Sequence, residues 1–253
     1  MEAKEVIARR VALELRDRTL VNLGIGLPTL VACYVPAGIS VAFQSENGII
    51  GFGEPPPDGL EDPYLTDAGG GYISALPGAA AFDSATSFAL IRGGHLDMTV
   101  LGGLQVDSSG RLANWMVPGK IVPGMGGAMD LVAGAKRVIV AMQHTAKGHP
   151  KIVEALTLPP TAARRVSLIV TELAVIEPTD EGLVLRERAP GVSVDTIVAS
   201  TGAKLLLDGG RQCRSFRLRA WPPEAHASAP CRHRCHRCRA ILLERACHVE
   251  RLA

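Results

Sequence analysis

The sequence predicts an α/β fold in which a mostly parallel sheet is covered by helices on both faces. Short, largely apolar runs at residues 20–23, 41–44, 98–101, 138–142 and 166–170 read as strands. Stretches with helical spacing at 28–35, 84–91 and 127–134 fall between them. Strands apolar throughout and separated by helices are buried on both sides, which is the habit of parallel sheets built from crossover units. Gly (27) and Pro (17) are abundant while aromatic residues make up only 4%, so tight turns carry much of the architecture.

The chain opens with an amphipathic helix, because Ile7, Ala8, Val11, Ala12 and Leu15 recur at helical spacing opposite Arg9, Arg10 and Glu14. In folds of this class ligands gather beyond the carboxyl ends of the strands. Three segments just after apolar runs therefore stand out: Asn22-Leu23-Gly24-Ile25-Gly26-Leu27-Pro28, Gln44-Ser45-Glu46-Asn47-Gly48, and Pro123-Gly124-Met125-Gly126-Gly127-Ala128-Met129-Asp130.

With 253 residues and 47% hydrophobic content the chain can bury a substantial core. The formal net charge of +2 conceals two compositions. Residues 1–210 hold 17 Lys and Arg against 22 Asp and Glu, a balance of −5. Residues 211–253 hold 10 Arg, no Lys and three Glu, a balance of +7, with five of the six cysteines. The domain boundary is therefore set at 210. No run approaches the roughly 18 apolar residues of a membrane span, and the charged start carries no signal core. Cys33 stands alone in the main body, which fits a reducing compartment, and a cytoplasmic location is expected.

Gly24-Ile25-Gly26 lacks the third glycine of a dinucleotide fingerprint, since Thr29 stands there. Pro28 instead suits a helix's first turn, leaving N–H groups free toward the space above; a purely structural turn reads as well. Glu46 follows an apolar strand and is flanked by short polar or permissive residues, so its carboxylate stands at the ligand-facing edge as a nucleophile, a base or an ordinary loop glutamate. Gly126-Gly127 entering a helix could offer N–H groups to a developing negative oxygen, or could serve close backbone packing. His95 reads as closing a turn, and His144 and His149 as loop residues; their spacing does not suit a metal. The chain has no Gly-x-Ser-x-Gly elbow and no phosphate loop.

Taken in order, Asn22 to Pro28, Gln44-Ser45-Glu46-Asn47-Gly48, and the stretch from Pro118-Gly119-Lys120 to Gly127-Ala128-Met129-Asp130 resemble the β subunit of the 3-oxoacid CoA-transferase family, more narrowly its acetate/acetoacetate type. Phe82-Asp83-Ser84, Ile91-Arg92-Gly93-Gly94-His95, Leu112-Ala113-Asn114-Trp115 and Thr171-Glu172-Leu173-Ala174-Val175 extend the likeness, which covers about residues 1–207. The resemblance implies the open sandwich of CoA transferases and a ping-pong reaction through a glutamyl-CoA thioester. It implies catalytic roles for Glu46 and Gly127, with Gly24, Gly26, Asn47, Gly48 and Gly126 lining the substrate. Coenzyme A is then a substrate, with no cofactor and no metal. A separate α subunit, in an α2β2 assembly, is the implied partner, and neither membrane nor nucleic acid is expected. Read without the resemblance, Glu46 also fits a proton-abstracting isomerase of sugar-phosphate type, and the chain a non-catalytic ligand-binding or nucleic-acid-binding protein.

Residues 211–253 match nothing in that family. Cys231, Cys235, Cys238, Cys247 and the nearby histidines are enough ligands for zinc but lack paired spacing. The few apolar residues there do not offset the entropy of ordering, so a disordered extension is expected.

Overall fold

The computed structural model describes residues 1–119, 124–207 and 213–216. Ile7, Ala8, Val11 and Ala12, all buried, form one face of α1 (Ala3–Ala12). The helix ends before Leu15, which is buried beyond it. Then come β1 (Thr19–Leu23), a 3-10 helix (Leu27–Tyr34), β2 (Val41–Ser45), β3 (Ile49–Phe52), β4 (Ala75–Ala81) and α2 (Ser84–Arg92). The middle of the chain gives β5 (Met98–Leu101), β6 (Gln105–Asp107), β7 (Leu112–Ala113), α3 (Ala128–Gly134), β8 (Arg137–Ala141), β9 (Thr145–Ala146), β10 (His149–Pro150) and β11 (Ile152–Val153). The last elements are β12 (Leu168–Val170), β13 (Ala174–Thr179), β14 (Gly182–Arg188), α4 (Val194–Ala199), β15 (Leu205–Leu207) and β16 (Arg214–Ser215).

An 11-stranded sheet runs in the order β15-β14-β13-β12-β8-β5-β1-β2-β3-β4, with β16 beside β14. Its centre, β2-β1-β5-β8-β12, is parallel throughout. The flanks differ from the sequence expectation: β3 and β4 on one side, and β13 and β14 on the other, run antiparallel. β3, β13 and β14 each follow a connection of two or three residues, which can only reverse the chain, whereas β4 returns antiparallel after the long loop at residues 53–74. The apolar runs of the centre are explained by their alternation: Val138 and Val140 of β8 join one core cluster, Ile139 and Ala141 the other. One cluster includes residues of α1 and the 3-10 helix, the opposite one residues of α2, α3 and α4.

The stretch expected as a helix from 28 to 35 is a 3-10 helix, not an α-helix. Its buried residues, Pro28, Val31 and Tyr34, fall every third position, which matches three residues per turn. Beyond the compositional boundary, Arg214 and Ser215 join the sheet as β16 beside β14, and their neighbours Cys213 and Phe216 are buried in the core. The Cys/His cluster proposed as a possible zinc ligand set lies outside the described residues.

Two buried polar devices tie the layers together. Arg10 of α1 donates to Glu187 of β14 (2.8 and 3.1 Å) and to Glu14 (2.7 Å), while Arg137 holds the other Glu14 oxygen at 2.6 Å. Burial pushes the Glu14 carboxyl up, but the bonds and charges of Arg10 and Arg137 outweigh it and hold the group below its usual range. The second device is His144, which lies in a loop as expected, between β8 and β9, but with its side chain fully buried; His149, also expected in a loop, falls in β10. Its Nδ1 lies 2.9 Å from Thr171 Oγ1 after β12, and its Nε2 2.9 Å from Thr201 Oγ1 after α4. The Thr201 hydroxyl donates to Ile197 O, so it accepts from Nε2–H of the imidazole. The Glu172 carboxylate accepts the His144 backbone N–H at 3.0 Å.

Helices α2 and α3 meet where a Cβ on Gly134 would lie 2.1 Å from the Ile91 carbonyl oxygen. Backbone cannot yield there, so Gly134→Ala is expected to lower stability by about 1–3 kcal/mol, read as a shifted urea midpoint with an unchanged slope. Burial lowers the His144 pKa from 6.5 to about 4. Below pH 6.5 the unfolded chain takes up a proton that the folded one refuses until about pH 4. The stabilisation present above pH 6.5 is therefore lost as pH falls, by roughly 2 kcal/mol between pH 7 and pH 5. Urea midpoints at the two pH values should show this loss in the native chain and a much flatter response in His144→Gln.

Candidate active site

The carboxyl ends of β1 and β2 lie side by side in the parallel centre, with Asn22 directly opposite Gln44 in register. Both are polar residues in otherwise apolar strands, both are buried, and in that dry setting each amide must find partners. Asn22 Nδ2 donates to Gln44 Oε1 (2.9 Å) and to Glu46 Oε2 (3.1 Å). Its Oδ1 accepts from the Thr99 hydroxyl of β5 at 3.2 Å, and Gln44 Nε2 donates to the Ser87 hydroxyl of α2 at 2.9 Å. A chain of uncharged groups drawn from three adjacent strands and a helix thus fixes one oxygen of Glu46. Among the described residues no buried side-chain polar atom lacks a partner.

Glu46 itself is half-buried, in the turn from β2 to β3. On its other side stands Gly127, at the entrance of α3, where a Cβ would lie 3.3 Å from Glu46 Cγ and 3.5 Å from Oε1. Gly127 has φ −81° and ψ 0°, a conformation open to any residue. Its lack of a side chain therefore matters for the space beside the carboxylate, not for the backbone. Gly124 and Gly126 do adopt positive φ (105° and 55°), and a Cβ on either would meet nothing within 4 Å. Gly26, at φ 87°, is similarly open.

The other expected site residues have different surroundings. Gly24 continues the ladder, donating to Val100 O at 2.8 Å, and a Cβ there would press on Val100 O and Leu101. Asn47 turns its amide away to Thr66 O at 2.7 Å. Gly48 has φ 121°, and a Cβ on it would run into the Phe82 carbonyl. Asn47 and Gly48 thereby build the turn and its supporting loop. Glu46 and Gly127 are brought together; Gly24, Asn47 and Gly48 shape the backbone around them. Lys120 to Pro123 lie outside the described residues.

Asn22, Gln44, Ser87 and Thr99 were not singled out from the sequence as site residues. The available signal was polarity itself: an amide at the end of each of two neighbouring buried strands has no reason to be there unless something polar needs it. No group of three or more His, Cys, Asp or Glu residues among the described ones could hold a metal ion, and no described helix is long and apolar enough to cross a membrane.

The family model for coenzyme A transferase matches residues 4–200. Acetate CoA-transferase subunit beta of Escherichia coli is 58% identical over 205 residues, covering 81% of this chain and 94% of that one. The mitochondrial succinyl-CoA:3-ketoacid coenzyme A transferase 2 of Homo sapiens is 48% identical over 204 residues, which are 79% of this chain but only 40% of the human one. Among solved structures, an acyl-CoA transferase from E. coli O157:H7, in a thioester complex with CoA, superimposes with a TM-score of 0.67 at 21% identity. It covers 87% of this chain and 44% of that one, a likeness of fold. By its sequence and by its fold, this chain belongs to the coenzyme A transferase family.

Proposed function

We propose that this chain is the β subunit of a two-subunit CoA transferase and carries the attacking carboxylate, Glu46. The observation supporting this is the setting of that side chain: Asn22 holds one oxygen at 3.1 Å, and the glycine entrance of α3 lies against the other face. A carboxylate held by a neutral amide keeps its direction without a cation that would blunt its nucleophilicity.

In the proposed reaction a Glu46 oxygen attacks the thioester carbonyl of an acyl-CoA, expelling CoA thiolate and leaving an acyl-glutamyl anhydride. The thiolate then attacks the glutamyl carbonyl, forming a glutamyl-CoA thioester and releasing the first acid as its carboxylate. The incoming carboxylate opens that thioester to a second anhydride, and the thiolate attacks its acyl carbonyl, giving the new acyl-CoA and free Glu46. Each step trades one activated acyl bond for another, so CoA is a substrate and no step calls for a metal, nicotinamide or ATP. Each tetrahedral intermediate carries negative charge on a former carbonyl oxygen, for which the Gly127 N–H is the proposed donor. One such donor is typically worth about 3 kcal/mol of barrier. Open backbone at Gly26, Gly124 and Gly126 leaves room for the acyl and thioester groups.

The names of the relatives, acetate CoA-transferase and succinyl-CoA:3-ketoacid coenzyme A transferase, support short acyl and 3-oxoacyl groups as the substrate class, and the words subunit beta support an α subunit as partner; the α2β2 assembly is our proposal. With that partner and acetoacetyl-CoA, intact mass spectrometry is expected to show a CoA adduct on the peptide containing Glu46. Glu46→Gln should remove the adduct and lower exchange by at least about a thousandfold with assembly intact; undiminished turnover would refute the mechanism. Gly127→Ala, which pushes a methyl group against Glu46, should lower kcat by about a hundredfold while the complex still forms.

A further inference from the structure

We propose that β4 and the apolar patch beside it, formed by Leu60, Tyr64, Tyr72 and Leu76, are the face on which the α subunit docks, through a basic-rimmed surface of its own. The proposal rests on the two-subunit reading above and names the surface that reading requires. Among the described residues β4 is the last strand of the sheet, and it is exposed along nearly its whole length. A strand paired on one side only presents a row of free N–H and C=O groups, which stable proteins guard with charges or cover. The sequence of β4, Ala-Leu-Pro-Gly-Ala-Ala-Ala, carries no charge, and Pro77 removes only one donor.

The large exposed apolar groups lie in β4 itself, at Leu76, and in the loop that leads into it, at Leu60, Tyr64 and Tyr72. Tyr64 is 95% exposed, Leu60 72%, Leu76 50% and Tyr72 46%. The segment folds back on itself, with Ile73 N donating to Leu65 O and Thr66 bridged to Tyr72, and Ser74 N then reaches Glu54 O. Several large apolar groups left in water on one segment mark a contact surface more than a lone exposed leucine would.

Charge selects the occupant. Between Arg18 and Arg92 the chain has no Lys or Arg, but it has Glu46, Glu54, Asp58, Glu61, Asp62, Asp67 and Asp83. Two copies of this chain meeting here would oppose two acidic faces, whereas a different chain with a basic rim would match. Position points the same way. Ser45 Oγ accepts from Ala68 N at 2.9 Å, Asn47 Nδ2 donates to Thr66 O at 2.7 Å, and a Cβ on Gly69 would lie 3.4 Å from Ile25. The segment bearing the patch is thus pinned to the residues on either side of Glu46, and a chain docked on it closes over the carboxylate. The human relative and the solved acyl-CoA transferase chain are each more than twice the length matched here, leaving room in one polypeptide for such a second unit.

The test uses the full chain and the α-type CoA-transferase chain from the same genome. Leu76→Arg and Tyr64→Arg should each weaken association at least tenfold, and Val198→Arg, at an exposed site on α4, should leave it unchanged. The affinity of the native pair should fall as salt rises, and the amides of Ala75–Ala81 should gain protection from hydrogen exchange in the complex. Thermal unfolding of each variant alone checks its fold, and Tyr64, almost wholly exposed, serves if Leu76→Arg does not fold. Unchanged affinity in both variants with unprotected β4 amides overturns the proposal. So does an isolated chain that dimerises and is dissociated by Leu76→Arg. So does loss of β4 protection in the isolated chain when Arg232, Arg234, Arg237 and Arg239 are changed to Gln, since the chain's own Arg-rich end would then be the occupant. A complex that forms through this face without exchanging CoA sinks the functional reading alone. Exchange that survives both patch variants at native affinity sinks the surface alone, and absence of any association sinks both.

Discussion

Everything at the candidate site depends on two amides that have no water to turn to. Asn22 and Gln44 sit opposite one another in adjacent parallel strands, inside a sheet covered on both faces, and neither can be left unpaired without a cost comparable to a lost core contact. They satisfy each other, and the capacity left over reaches Thr99, Ser87 and Glu46. Orientation of the carboxylate thus follows from the need to satisfy buried polar groups, and it is as rigid as the sheet that holds them. The turn from β2 to β3 adds a second constraint, because Gly48 packs directly against the Phe82 carbonyl and so fixes where the turn can lie.

The opposite wall of the site is made by absence. Gly127 stands where any side chain would crowd Glu46, and the two open glycines before it keep the approach clear. The sheet supplies a held carboxylate, and the α3 entrance supplies space beside it. The two come from segments about eighty residues apart, joined only because β5 lies between β1 and β8 and delivers α3 to the same edge. That edge is also where parallel strands leave their ends free, so chemistry here is a consequence of topology before it is one of residue type.

Away from the site, the same physical demand recurs in other forms. Arg10 is buried between Glu187 and Glu14 and locks the first helix to the far flank of the sheet. His144, neutral and enclosed, joins the exits of β8 and β12 to the end of α4 through two threonine hydroxyls. β4 and the loop before it are bonded to the site as well, but they leave large apolar groups in water and carry acidic residues without a Lys or Arg, which is why we propose this face for a second chain.

The sequence by itself determined the fold class, the opening helix and the central strands, and it drew attention to the segments around Glu46 and Gly127. Hydrophobic periodicity and glycine placement are local signals, and the motif order carried the family likeness. It could not determine that the flanking strands run antiparallel, that residues 28–35 wind as a 3-10 helix, or that His144 is enclosed. Strand direction, helix pitch and burial are settled by what packs against a segment, and those neighbours lie far away in the chain. The partners of Asn22 show the division most clearly. An asparagine near the end of an apolar run is visible in the sequence, but its hydrogen bond to Glu46 exists only because two parallel strands, separated by a crossover, meet in one register.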